Sequence, residues 1–155
     1  GADVNAEALE RLRAQGAADP DTFAAAPGLD AAIIVVLNSA QAEEVLFGKT
    51  GIAERLAPGS VVVLCVTVAP DYARSSAQRC EARGVLFLDA PISGGAAKAA
   101  QGKLSIMASG TKEAFAAARP ALDAMAQTVV RSDRRGADPR HGEVRASPPG
   151  RRAAR

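Results

Sequence analysis

The sequence has no tryptophan, and its aromatics, one tyrosine and four phenylalanines, amount to 3% of 155 residues. The core must therefore be built from Ala, Val, Leu and Ile. Cysteine is scarce: Cys65 and Cys80 are too few for a disulfide framework and have no zinc-ligand spacing. A reducing, cytoplasmic compartment is the expectation. No apolar run approaches the ~20 residues that cross a bilayer, and no secretory leader pattern opens the chain, so neither a membrane nor a secretory reading is expected. The opening at Gly1 rather than methionine leads us to expect a longer parent. The single histidine, His141, has no partner with which to form a catalytic pair or a metal site, and it reads as part of the tail. Apart from an alanine bias there is no internal repeat.

What is present is ordinary for one soluble domain: 48% apolar and 23% charged residues. The net charge of +2 hides an asymmetry. Residues 131–155 hold eight arginines against Asp133, Asp138 and Glu143, a net of +5, which leaves −3 for residues 1–130. A basic tail of this kind can bind nucleic acid, or it can be a solvated end.

Helical and strand patterns alternate along residues 1–130. Asn5 is placed to cap a helix with Leu9 and Leu12 on one face, and Gly16 to end it. AIIVVL (32–37), VVVLCV (61–66) and VLFLD (85–89) are continuous apolar runs, which suit parallel strands buried on both faces. Ser39 opens a short helix that stops at Gly48, and Pro70 opens another that closes at Gly84. KLSIMA (103–108) alternates and should be half exposed. Residues 112–126 read as a helix with a kink or break at Pro120, and TVV (128–130) as a last short strand. The fold class is α/β, a doubly wound, mostly parallel sheet. From Arg131 the apolar period stops. Three prolines, and Val144 as the one aliphatic side chain larger than alanine, predict a disordered tail over 131–155.

The densest signal is DAPISGGAAKAAQGKLSIMASG, Asp89 to Gly110. A buried strand ends at Asp89, where doubly wound sheets place ligands. Gly94 and Gly95 let a ligand approach the backbone, and Ser93 adds a hydroxyl, so the turn can hold a carboxylate or serve as a plain connection. The segment resembles the substrate signature of the β-hydroxyacid dehydrogenases, the 3-hydroxyisobutyrate dehydrogenase family. That signature is DAPVSGG followed at fixed spacing by Ala, Gly, Leu, Met and Gly. Ser93, Gly94, Gly95, Ala99, Gly102, Leu104, Met107 and Gly110 meet it. The wording AAKAAQG and MASG is similar to the L-threonate dehydrogenase branch.

The resemblance covers residues 1–130 and implies a Rossmann-like cofactor domain. Ser93, Gly94 and Gly95 would bind the substrate, while Asp3, Leu37, Asn38 and Thr67 would bind the cofactor. Asp3 falls where an acidic residue bonds the adenosine ribose and repels a 2′-phosphate, so NAD is expected over NADP. Leu64 and Val66 depart from the usual Asp and Ser beside Thr67. Cys65, Cys80 and Tyr72 read as packing residues; no base adjoins either thiol.

Two parts of the family's machinery are absent from the 155 residues. One is the first strand with its GxGxxG turn, so the domain is expected to be incomplete. The other is the catalytic lysine, whose expected position holds Glu143. Residues 141–150, back-translated with allowed codons and read one base out of frame, give MVKCVHHLLA, similar to the family's VKxxHQLLAG. The Glu143-Val144 pair restricts the shifted codon to lysine or arginine, so an out-of-frame tail is the expectation.

The resemblance thus implies an oxidoreductase that transfers hydride from a short hydroxy acid to NAD. Its parent would be a homo-oligomer with no membrane or nucleic-acid partner, and the 155 residues alone would be inactive. The alternative is a non-catalytic α/β fragment whose basic tail binds nucleic acid or a partner.

Overall fold

A computed structural model describes residues 1–18, 28–132 and 144–146. The elements in chain order are α1 (Ala6–Ala14), β1 (Ala31–Ile34), α2 (Ser39–Phe47), a 3-10 turn (Ile52–Glu54), β2 (Val61–Leu64) and α3 (Pro70–Glu81). They continue with β3 (Leu86–Asp89), β4 (Ile92–Ser93), α4 (Gly95–Ala99), β5 (Leu104–Gly110), α5 (Lys112–Met125), β6 (Ala126–Ser132) and β7 (Val144–Ala146). The strands form one sheet in the order β1-β2-β3-β5-β6-β7, and β4 pairs with β5.

The three apolar runs become neighbouring parallel strands in simple register, with Ile34 opposite Leu64 and Leu64 opposite Asp89. Strand β2 is buried at every residue, as its lack of alternation predicts. Strand β1 departs from that expectation. Ala32 and Ile34 are buried, whereas Ala31 and Ile33 are half-buried, because β1 is the sheet edge among the described residues. The chain also leaves the strand two or three residues earlier than the apolar run suggests. Val35 and Leu37 are exposed beyond its end.

The sheet is mixed. Strand β5 runs antiparallel to β3, and β6 runs parallel to β5. One face carries Ala32, Ile34, Val62, Leu64 and Phe87 under Ala42 and Leu46 of α2 and Cys80 of α3. The other carries Val61, Val63, Leu88, Ile106 and Ala108 under Ala114, Ala118 and Leu122 of α5. Helices therefore cover both faces, as in a doubly wound fold.

Local signals explain the helix ends. The Asn5 side chain accepts from the Glu7 and Ala8 amides, and Thr111 Oγ1 accepts from the Ala114 amide. Pro70 occupies the first turn of α3, where its missing N–H costs nothing. The break expected at Pro120 does not occur: α5 runs through it. Pro120 and Ala116, whose carbonyl loses its helical donor there, both face solvent, so water can replace the missing bond. TVV belongs to a longer strand, β6.

Within the stretch expected to lack structure, Arg131 and Ser132 complete β6 beside β5, and Val144–Ala146 pairs antiparallel with Thr128–Val130. The rest of that tail, 133–143 and 147–155, with His141, Glu143 and the out-of-frame reading, lies outside the described residues. No described helix is long and apolar enough to cross a membrane.

Leu88 is fully buried between β2, β5 and α5. Leu88→Ala should destabilise the domain by about 2–5 kcal/mol in urea unfolding. Val45→Ala, at a residue 41% exposed, should stay within about 0.5 kcal/mol.

Candidate functional site

The parallel strands β1, β2 and β3 point their C-terminal ends the same way, and their matched register aligns those ends in one row. The segments that follow are therefore gathered on one edge of the sheet. Leu37 and Asn38 follow β1, Thr67 follows β2, and Ser93 and Gly94 lie just past β3. Such an edge is where open α/β sheets hold ligands.

Leu37 and Asn38 are locked to the first turn of α2. Asn38 Oδ1 accepts from the Gln41 amide at 2.9 Å, and Gln41 Oε1 accepts from the Leu37 amide at 2.8 Å. These reciprocal bonds resemble a capping box. They occupy the Asn38 carbonyl oxygen and leave the Leu37 side chain 88% exposed at the edge. Thr67 is exposed, and its hydroxyl has no hydrogen-bond partner among the described residues.

Ser93 pairs with Ser105 on β5 and is exposed. Gly94 has φ +132°, and Gly95 has φ +66°, a region that other residues enter only with strain. A Cβ built on Gly95 would meet nothing within 4 Å, so open space lies over this backbone. The stem of Lys98 lies across Gly94, its Cδ 2.9 Å from where a Gly94 Cβ would sit. Lys98 has no acidic partner among the described residues. It was not singled out from the sequence, although its i+4 spacing from Gly94 is a usable signal. Gly102 serves the fold instead: a Cβ there would come within 2.7 Å of the Ala124 carbonyl oxygen.

Asp3 follows none of these strands. Its Oδ1 accepts from the Asn5 amide at 2.8 Å in the turn before α1. Helix α1 has no buried residue, and the Gly1 amino group donates to the Ala18 carbonyl, closing the segment on itself. The other Asp3 oxygen accepts no hydrogen bond among the described residues.

Behind the edge, α2 and α3 are joined by charge. Arg79 Nη1 lies 2.9 Å from both carboxylate oxygens of Glu43, and its guanidinium sits 3.5 Å from the Phe47 ring centre. Tyr72 donates to Glu43 Oε2 at 3.3 Å and packs against the core of that face. Burial, with Glu43 beside it, pushes the Tyr72 hydroxyl above its ordinary value, so it remains a donor at neutral pH. The sequence reading found none of this cluster beyond Tyr72 as a packing residue, because 36 residues separate Glu43 from Arg79.

Three parallel strands joined through α2 and α3, with a free hydroxyl and a glycine pair along their C-terminal edge, are the features of a dinucleotide-binding α/β domain. The family described as the NAD-binding domain of 6-phosphogluconate dehydrogenase matches residues 1–132, and the chain belongs to that family. An L-threonate dehydrogenase of Pectobacterium atrosepticum is 45% identical over 133 residues, covering 84% of this chain and 44% of that protein. One from Haemophilus influenzae is 46% identical over 131 residues, covering 83% and 44%. The crystal structure of a 3-hydroxyisobutyrate dehydrogenase from Salmonella typhimurium superposes with a TM-score of 0.78 at 42% identity. It covers 86% of this chain and 47% of that one. The chain thus spans under half the length of these relatives.

Cys65 and Cys80 are buried, and burial raises both thiols from 9.0 to about 11; Arg83 and Arg79 oppose the shift at Cys80 without cancelling it. A raised thiol pKa contributes stability that is present below the unfolded value and is lost as pH climbs from 9.0 toward 11. A thiol reagent at pH 8 should leave both cysteines unmodified in the folded chain and label both in denaturant. Rapid labelling of Cys65 in the folded chain would show that the site edge admits solvent to the end of β2.

Proposed function

We propose that this chain is the cofactor half of an NAD-dependent dehydrogenase that oxidises a short hydroxy acid, threonate-like or 3-hydroxyisobutyrate-like. The observation that carries the reading is the delivery of Leu37-Asn38, Thr67 and Ser93-Gly94-Gly95 to one edge by three strands in register. The names of the relatives support the substrate class.

The residues present fit the cofactor. Thr67 offers an unengaged hydroxyl, Leu37 an exposed apolar wall and Asp3 an oxygen that can accept from ribose hydroxyls. The space above Gly95 admits a small acid beside the wall. Bound there, NAD supplies the hydride acceptor. Ser93 and the backbone of Gly94 and Gly95 hold the substrate carboxylate, and Lys98 favours the acid by charge. The Asp3 carboxylate disfavours an added 2′-phosphate, which sets NAD above NADP.

Oxidising the alcohol also requires a base for its hydroxyl proton, and a placed side chain contributes about 10²–10⁴ in rate. In the family this group is a lysine. At the sequence position where the family resemblance would put it, this chain has Glu143. The 155 residues alone, which also lack a Gly-rich pyrophosphate turn, are therefore expected to bind dinucleotide weakly and without sustaining turnover.

NMR titration should show NAD shifting amides at residues 37–39 and 67–69 more strongly than NADP, and Asp3→Ala should narrow that preference. A preference for NADP would remove Asp3 from the site. No steady NADH formation is expected from L-threonate or 3-hydroxyisobutyrate. Turnover abolished by Ser93→Ala would show instead that a base is present within these residues.

A further inference from the structure

Two of the segments read as cofactor walls belong to different helices. Leu37 and Asn38 move with α2, because the Gln41 bonds tie them to its first turn. Thr67 leads within three residues into α3, whose first turn is anchored by the bond from the Ala73 amide to the Ala69 carbonyl. The spacing of these two segments is thus tied to the separation of α2 and α3. Those helices are not pressed together by close backbone approach; they bridge through long side chains.

The bridge is a three-point clasp centred on Glu43. Arg79, near the far end of α3, grips both carboxylate oxygens and stacks on Phe47 at the end of α2. Tyr72, in the first turn of α3, reaches the same carboxylate from the side of the cofactor edge. One carboxylate on α2 therefore fixes both ends of α3. One guanidinium nitrogen is shared by both oxygens, and the planar group stacked on the Phe47 ring constrains orientation as well as distance, which a lysine ammonium would not do.

We propose that Glu43, Arg79 and Tyr72 are positioning residues for the cofactor: they set the separation of the Leu37-Asn38 wall from the Thr67 wall and do not touch the dinucleotide. The proposal rests on the reading of those walls given above. It assigns the clasp a role in affinity at a distance, through two helices that behave as rigid levers.

The test uses the 155-residue chain and four variants. Glu43→Gln and Arg79→Met open the clasp. Arg79→Lys keeps the charge but loses the planar group stacked on Phe47. Arg119→Met is the control, since it breaks an exposed Arg119–Asp123 pair on α5. Two measurements are made on each. Amide exchange should speed up about tenfold at 37–41 and 67–73 in Glu43→Gln and Arg79→Met, with β5, β6 and α5 unchanged. NAD affinity by NMR titration should fall about tenfold in the same two variants, less in Arg79→Lys, and not at all in Arg119→Met.

A merely structural pair would speed exchange across the whole domain, or lower the melting temperature while leaving NAD affinity at the wild-type value. Either result overturns the proposal. Unchanged exchange at the two walls overturns it as well. If the wild-type chain shows no shift with NAD, the walls are not cofactor walls. The functional reading then fails, and the proposal with it, whatever the exchange comparison shows.

Discussion

Everything at the site depends on β2 being buried on both faces. A strand whose four residues are all without solvent must be paired on both edges and covered above and below. That requirement recruits β1 and β3 as parallel neighbours, and parallel pairing in turn demands a crossover helix on each side. The crossovers are α2 and α3, and both pack on the same face. With the three strands in one register, their last residues form a single row, Ile34, Leu64 and Asp89. The loops that leave this row have one place to go. The chemistry of the edge is thus a consequence of apolar packing several ångströms behind it.

The two faces of the sheet then divide their tasks. The α5 face closes a core that reaches from β1 to β6 and holds no residue assigned to the site. The α2–α3 face carries the walls of the edge, and its helices are bridged by Glu43, Arg79, Phe47 and Tyr72 rather than by small residues in close contact. An ion pair with both side chains about two-fifths exposed contributes little to stability in solvent. Its geometry, with one guanidinium nitrogen shared by both oxygens and the group stacked on Phe47, is better suited to fixing an orientation than to holding a domain together.

The legible parts of the fold were those set by local pattern. The three apolar runs, the cap at Asn5, Pro70 at the start of a helix and the half-exposed alternation of residues 103–108 each carry their own physical signature. What was not legible depended on partners elsewhere. Strand β1 reads like β2, yet it lies at an edge, and no local feature distinguishes the two. The antiparallel turn from β3 into β5 is set by which edge remains open. Pro120 reads as a helix breaker because sequence alone does not show that Ala116 faces water. At the site, Ser93, Gly94 and Gly95 were legible as a group because they are contiguous. The Glu43–Arg79 clasp was not, because its members are brought together only by the sheet beneath them. Asp3 was legible as a residue type, but the structure places it in a turn outside the sheet.

The signature from Asp89 to Gly110 combines two kinds of constraint, which explains why it is specific for a family and silent about a substrate. Leu104, Ile106 and Ala108 are buried against α5, and Gly102 passes the end of that helix with no room for a side chain. Gly110 is equally confined: a Cβ there would lie 2.9 Å from the Phe87 carbonyl oxygen, where β5 joins β3. These positions preserve the antiparallel return that presents the turn. Ser93, Gly94, Gly95 and Lys98 are exposed, with open space over Gly95, and they supply a hydroxyl, backbone and a charge. Such a set can select for a carboxylate but cannot measure what is attached to it. Discrimination among hydroxy acids requires groups that contact the rest of the molecule, whereas the proposed function gives Thr67 and Leu37 to the cofactor. Under the proposed function the domain would therefore select the acid only as a class, and its geometry would serve to hold the dinucleotide at a fixed spacing from that acid.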